Sequence, residues 1–277
     1  MQYDPIKRSL GKVFNQSPIL RIIFYRLLDI LLLRTWHVKR AFKEWAKTSG
    51  EEVNILDAGM GFGQYSWFMA RLKPKSKVKG VDVKDEQVAD CNVFFHKAKQ
   101  TNVHFEIADL TKFNEANKYD FVLSVDVMEH IEEDVQVFKN FYASMKPGAM
   151  LLVSTPSDQG GSDVHHHDHE HEHSNDGSDS FIDEHVRDGY AIPDIKAKLK
   201  EAGFSKSEAH YSYGWPGKIS WRLSMKYPIL MLNTSKVFFI LLPFYYVITF
   251  PFAIILNYLD VAIKHKTGTG LIVKAWK

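Results

Sequence analysis

A doubly wound α/β domain on a largely parallel sheet is the fold class that the sequence predicts. Three observations carry the prediction. Short apolar runs alternate with stretches of helical character between residues 50 and 213, and that alternation implies parallel pairing with crossovers on both faces. The first apolar run ends in a glycine-rich turn, the kind of turn that lets a backbone approach a ligand at the mouth of such a sheet. The 277 residues, 45% hydrophobic and 25% charged, can bury a core without a disulfide or metal staple. The single cysteine, Cys91, excludes an intramolecular disulfide framework and fits a reducing compartment.

The elements follow in order. Residues 53–57 (VNILD) are a short apolar run ending at glycines and read as a buried strand. A helix over 64–72 follows, closed by Lys73-Pro74. Residues 78–82 are the second strand, 85–97 the second helix and 103–107 the third strand. Residues 121–125 (FVLSV) are apolar enough to be buried on both faces, as parallel strands are. A helix over 131–145 stops at Pro147-Gly148, and 150–154 form the fifth strand. Residues 157–180, rich in Gly, Ser, Asp and His, read as a loop. A helix over 192–202 ends at Gly203. Residues 207–213 and 271–276 complete the strand set.

Charge divides the chain into three. Residues 1–50 hold ten Lys/Arg against three Asp/Glu, 51–204 hold sixteen against twenty-eight, and 205–277 hold nine against two. The near-neutral sum excludes a uniformly basic nucleic-acid binder. The basic ends suit phosphates, and the uncharged run at 237–259 (VFFILLPFYYVITFPFAIILNYL) favours lipid over nucleic acid as their source. The first apolar stretch, 18–33, is interrupted by Arg21, Arg26 and Asp29 and has no cleavage site after it. It does not read as a secretory signal, so a cytoplasmic location is expected.

The sharpest motif is Asp57-Ala58-Gly59-Met60-Gly61-Phe62-Gly63. Counting G-x-G-x-x-G from Gly59 or Gly61 ends on Gln64 or Ser66, so a dinucleotide fingerprint fails in both registers. No Gly-Lys-Ser/Thr follows either. A carboxylate just before the glycines suits a ligand with a positive group and no phosphate. With its later segments, the chain resembles the class I S-adenosylmethionine-dependent methyltransferases over roughly residues 50–213 plus the last strand. Those segments are Val81-Asp82, Ala108-Asp109-Leu110, Tyr119-Asp120-Phe121, and Met145-Lys146-Pro147-Gly148 leading into 151–156 (LLVSTP). The resemblance implies a Rossmann-like seven-stranded sheet in the order 3-2-1-4-5-7-6. It also implies a cofactor held by Asp57, Gly59, Gly61, Gly63 and Asp82 (at the ribose), by Asp109 (at the adenine), and by Asp126 after the fourth strand.

Asp126-x-x-Glu129-His130 is similar to the acidic-x-x-Glu-His motif of ubiquinone-pathway O-methyltransferases, which implies a divalent metal on Asp126, Glu129 and His130. Capping of the next helix by Asp126, with Glu129 as capping-box partner, is the competing reading. The segment 183–190 (DEHVRDGY) is similar to one found before the penultimate helix of small-molecule methyltransferases. His130 or His185 is then a candidate base and Arg187 an acceptor clamp, unless Arg187 pairs with Glu184. The tract 163–173 (DVHHHDHEHEH) suits Zn²⁺ or Ni²⁺, although a solvated loop that binds metals only opportunistically is the favoured reading, since such a tract fixes no ligand geometry.

The apolar run is long enough, at 23 residues, to span a bilayer. Topology opposes a single crossing, because the run lies between two strand candidates of one sheet. Pro243 and Pro251 should also break a straight helix. The expectation is a re-entrant or monotopic insertion, with Lys218, Arg222 and Lys226 as a basic stripe beside it. The expected organisation is a basic amphipathic helical region at 1–49, the methyltransferase domain at 50–213 plus 268–277, and the insertion at 214–267. These readings favour a membrane-associated enzyme that methylates a lipophilic acceptor, at oxygen, on the cytoplasmic side. Two alternatives stay open: a soluble enzyme whose insertion is a dimer interface or substrate cap, and a membrane-bound cofactor-binding module without turnover.

Overall fold

The structure, a computed structural model, describes residues 17–160, 186–235 and 237–277. The His/Asp-rich tract 163–173, His185 and Glu184 lie outside the described residues, as do residues 1–16. The chain opens with two helices, α1 (Pro18–Leu31) and α2 (Leu33–Thr48), followed by β1 (Asn54–Ala58), α3 (Gln64–Leu72), β2 (Lys77–Asp82), α4 (Asp85–Lys97) and β3 (Val103–Ile107). Then come β4 (Tyr119–Val125), a 3₁₀ turn (Met128–His130), α5 (Asp134–Ser144), β5 (Met145–Pro156), α6 (Ile192–Glu201) and β6 (Lys206–Ser212). The insertion forms α7 (Trp215–Trp221), a π-helical turn (Arg222–Lys226), α8 (Tyr227–Thr234) and α9 (Phe238–Ala262), before β7 (Gly270–Trp276).

The seven strands form one sheet in the order β3-β2-β1-β4-β5-β7-β6, as the resemblance implies. β7 runs antiparallel to both β5 and β6. The period of two along each strand sorts side chains between two cores. Leu56, Val122, Leu151 and Val273 face α5 and α6, where Phe138, Phe141, Ile195 and Leu199 are buried. Ile55, Phe121, Leu123 and Leu152 face α2 and α3, meeting Phe42 and Met69. The Phe42 and Trp45 rings lie 5.0 and 4.6 Å from the Phe121 ring, so α2 is a covering layer of the sheet.

Two boundaries differ from expectation. The helix expected from residue 131 starts at Asp134, because residues 128–130 form a 3₁₀ turn. β5 starts at Met145, paired with Tyr119 ahead of a register shift, so Pro147-Gly148 lies within an irregular strand entry rather than between two elements.

The insertion is a helical hairpin. Ser220 Oγ donates to Ala253 O (3.1 Å), Tyr245 OH to Leu223 O (2.8 Å) and Tyr246 OH to Ser224 O (2.9 Å). Descending numbers on α9 meet ascending numbers on the α7 limb, so the limbs are antiparallel. Contrary to the sequence expectation, Pro243 and Pro251 do not interrupt α9, which continues through both for 25 residues. Both prolines are exposed, so neither ring displaces a packed neighbour, and the cost of each is confined to one lost intrahelical hydrogen bond. The hairpin leaves the sheet after β6 and returns to β7, where Ser212 and Gly270 are register partners.

Candidate cofactor and acceptor site

β1, β2, β3 and β4 run parallel and end at one edge of the sheet. The glycine loop crosses that edge. Gly59 N and Met60 N donate to Val81 O at 2.8 and 3.0 Å, tying the loop to the end of β2. Gly59 has φ +77°, and a Cβ there would come within 2.2 Å of Val127 Cγ2. Gly61 has φ +50° with nothing within 4 Å of a notional Cβ. The loop is thus closed towards the protein at Gly59 and open outward at Gly61.

The carboxylates sit around this loop. Asp57 is buried, accepts 2.6 Å from Ser66 Oγ, and is pushed up by burial to about 6. Asp82 accepts from Gly61 N and Lys84 N, both at 3.0 Å, and so shapes the loop directly. Asp109 closes the turn after β3 by accepting from Thr111 N and Oγ1, and those bonds hold its carboxyl below the ordinary range. Asp57, Asp82 and the three glycines therefore converge, with Asp109 one strand further along the same edge.

The segment after β4 departs from expectation. Asp126 has a left-handed backbone (φ +51°) and forms an ion pair with Arg34 at the start of α2. It caps no helix: Val127 precedes the 3₁₀ turn, without a side-chain capping bond. Glu129 is buried, accepts from Thr155 Oγ1 at 3.1 Å, and is pushed up by burial. Among the described residues no three His, Cys, Asp or Glu side chains group to hold a metal ion. The expected Asp126–Glu129–His130 metal set is therefore corrected, because Asp126 is turned to Arg34 and Glu129 inward to Thr155. His130 ends the 3₁₀ turn, partly exposed at the edge.

Arg187 is not aimed at an acceptor. It pairs with Asp134 and Tyr190, and Nη2 donates to Glu132 O at 3.2 Å. Lys198 reaches the same Asp134 at 2.7 Å. A buried carboxylate with two cations and a phenol is a structural hub that joins α5 to α6. Arg187→Ala should cost about 1–3 kcal/mol of stability and leave cofactor affinity unchanged, which denaturant unfolding and calorimetry on the same protein would check.

Several site groups come from segments that the motifs did not mark. Arg21 and Tyr25 of α1 both donate to Phe62 O of the glycine loop, Arg21 Nη2 at 2.9 Å. Asp29 accepts from Gln64 Nε2 at 2.8 Å and pairs with Lys39 at 2.5 Å. Tyr213, left-handed at φ +55°, accepts from Arg34 N at 3.0 Å and so joins the root of the hairpin to the site. Among the described residues, two buried side-chain atoms have no hydrogen-bond partner: Ser124 Oγ in β4 and Arg34 Nε. Orphaned polar atoms and strained non-glycine backbone make this edge the candidate ligand site.

The sheet order, the glycine loop and the edge carboxylates define a class I S-adenosylmethionine-dependent methyltransferase fold. A family sequence model, described as a methyltransferase domain, matches residues 49–203, and the chain belongs to that family. Among curated relatives, it is 28% identical to malonyl-acyl-carrier-protein O-methyltransferase 2 of Ilyobacter polytropus over 39% of this chain and 40% of that one. It is also 28% identical to phosphoethanolamine N-methyltransferase 1 of Triticum aestivum, over 54% of this chain and 28% of that one. The matches thus span less than half of either relative. Among solved structures, Haemonchus contortus phosphoethanolamine N-methyltransferase 2 in complex with S-adenosyl-L-methionine superposes with a TM-score of 0.58. That match has 18% identity and covers 87% of this chain and 52% of that one; it shows the shared fold.

Proposed function

We propose that the chain transfers a methyl group from S-adenosylmethionine to an oxygen of a lipophilic acceptor at a membrane surface. Family membership supports the reaction class. The residues fit the cofactor: Asp57 offers a carboxylate to a cationic group, Gly61 leaves open space, and Asp82 and Asp109 offer carboxylates along the edge. When bound, the cofactor supplies a methyl on a sulfonium that is already a good leaving group. What is left to this chain is to hold the acceptor in line, exclude water and take a proton. Alignment can contribute roughly 7–11 kcal/mol.

His130 is the described residue best placed to take the proton, at the edge beside β4. His130→Ala should lower turnover by about a hundredfold or more while cofactor affinity holds. Equal losses in both would remove His130 from this role.

The observation that carries the membrane assignment is the hairpin. α9 is 25 residues long, apolar and only 6% buried over its most hydrophobic window. Phe239, Ile240, Phe244, Val247, Ile248, Phe252 and Tyr258 are all more than half exposed. A contiguous apolar face of this extent marks an interaction surface. Lys264 and Lys266 follow it, and Lys218, Arg222 and Lys226 lie along the first limb, where basic side chains suit anionic headgroups. Both limbs root at the carboxyl edge through Tyr213 and Gly270, the same edge as the glycine loop, which supports reading the bilayer as the source of the acceptor. Incubation with labelled cofactor and a membrane lipid extract should yield a labelled, extractable product. Label confined to water-soluble products, with a dimeric protein that does not float with liposomes, would favour a soluble enzyme with a hairpin interface. Binding without turnover would leave a cofactor-binding module.

A further inference from the structure

α1 is amphipathic in the reverse sense from a helix that covers a core. At 100° per residue, Arg21, Tyr25 and Asp29 share one face and Ile19, Ile23, Leu27 and Ile30 the opposite one. The polar face is turned inward: Arg21 and Tyr25 are 3% and 1% exposed and hold Phe62 O, and Asp29 holds Gln64. The apolar face is turned out, with Ile19 69%, Ile23 47%, Leu27 44% and Ile30 39% exposed. Exposed Arg26 borders that stripe. α1 runs into α2, which also receives the base of the hairpin: Arg40 donates to Val261 O and His37 meets Asp260.

We infer that the outward face of α1 is a second bilayer contact, and that lipid binding there tightens the cofactor site through the grip of α1 on the glycine loop. The inference rests on the membrane reading of the hairpin. An anionic bilayer is the occupant that fits. The stripe lies on the segment that joins α2, the helix on which the hairpin base is seated, and residues 17–50 hold seven Lys/Arg against two Asp/Glu.

The coupling follows from what each ligand requires. A 14-residue helix is marginal in water by itself. Lipid needs α1 ordered to bury its apolar face. The glycine loop, in its cofactor-holding shape, needs α1 ordered to receive Arg21, Tyr25 and Asp29. Two ligands on opposite faces of one helix share one ordering cost, so each lowers what the other must meet. The same linkage makes the effect reciprocal: cofactor must raise lipid affinity by the factor by which lipid raises cofactor affinity.

The test measures S-adenosylmethionine affinity of the whole chain by calorimetry, alone and with phosphatidylcholine–phosphatidylglycerol vesicles, and vesicle binding by flotation, with and without cofactor. Vesicles should tighten cofactor binding by roughly fivefold or more, and saturating cofactor should raise vesicle partition by the same factor. In the Ile23→Ser/Leu27→Ser protein, whose changes face away from the loop, flotation through the hairpin should persist. Its cofactor affinity in buffer should match the parent, and the vesicle-induced gain should vanish. A parent protein that floats but binds cofactor equally with and without vesicles overturns the coupling and leaves the hairpin reading standing. A parent protein that does not float overturns both. The parent comparison needs no variant, so a poorly folded double variant does not spare the inference.

Discussion

Asp57→Asn should reduce S-adenosylmethionine affinity by about tenfold to a hundredfold at neutral pH, the value of one charge-assisted contact, and should flatten its pH dependence. The carboxyl is buried and raised to about 6. Because its folded value lies above its unfolded one, its contribution to stability is full below about pH 4 and is lost as pH rises through about 6. The Asp57 contribution alone, read as the stability of the parent minus that of the Asp57→Asn protein, should therefore be larger at about pH 5 than at about pH 7.5. Cofactor affinity runs the other way: a cationic ligand selects the ionised carboxyl, so affinity in the parent should fall by up to about tenfold per pH unit below about 6, with proton release on binding. Calorimetry in buffers of different ionisation enthalpy reads both. If the Asp57→Asn protein retains the parent's slope, Asp57 is not the group that meets the cofactor's charge.

Asp260→Ala should be the most destabilising single substitution in the hairpin, at about 3–5 kcal/mol. This carboxylate is fully buried and serves three segments. His37 Nε2 of α2 lies 2.8 Å from Oδ2, Tyr213 N donates to Oδ2 at 3.1 Å, and Gly217 N donates to Oδ1 at 3.1 Å. His265 Nε2 lies 2.9 Å from the Asp260 carbonyl oxygen. Truncation leaves two amides and an imidazole buried without acceptors. Asp260→Asn keeps one acceptor oxygen and should cost less. Thermal unfolding of the two variants checks the order. Equal, small losses would mean that the hairpin base is held by packing alone.

The sheet was legible because its signals are local. Apolar runs of strand length, Lys73-Pro74 and Gly203 each act within a few residues, and the glycine loop carries its own conformational demand. The candidate site was legible where strand ends alone set the position of a residue. Asp57, Asp82 and the glycines lie together at the ends of β1 and β2, whereas Asp126, Glu129 and Arg187 depend on partners distant in sequence. Arg34 lies 92 residues before Asp126, Asp134 lies 53 before Arg187, and Thr155 lies 26 after Glu129. Spacing along a notional helix could not foresee those pairings, and it also missed the left-handed backbone at Asp126 that ends the strand. α1 shows a different limit. Its periodicity was plain in the sequence, but which face would turn inward depended on partners distant in sequence: the acceptor Phe62 O for Arg21 and the donor Gln64 Nε2 for Asp29. The prolines of α9 misled for a different reason: each removes one intrahelical hydrogen bond and strains one turn, a local cost that a 25-residue helix carries without ending.

The hairpin enters and leaves through neighbouring rungs of one ladder. Ser212 faces Gly270, and Thr269 N reaches back to Tyr213 O at 3.4 Å. To the sheet, these 57 intervening residues are topologically equivalent to a tight turn, since loop closure grows only with the logarithm of loop length. What fixes the appendage to the fold is then its base, not its length. The outer part of the hairpin, beyond the base that His37 and Arg40 of α2 hold through Asp260 and Val261, can therefore be lengthened or traded while the sheet folds as before.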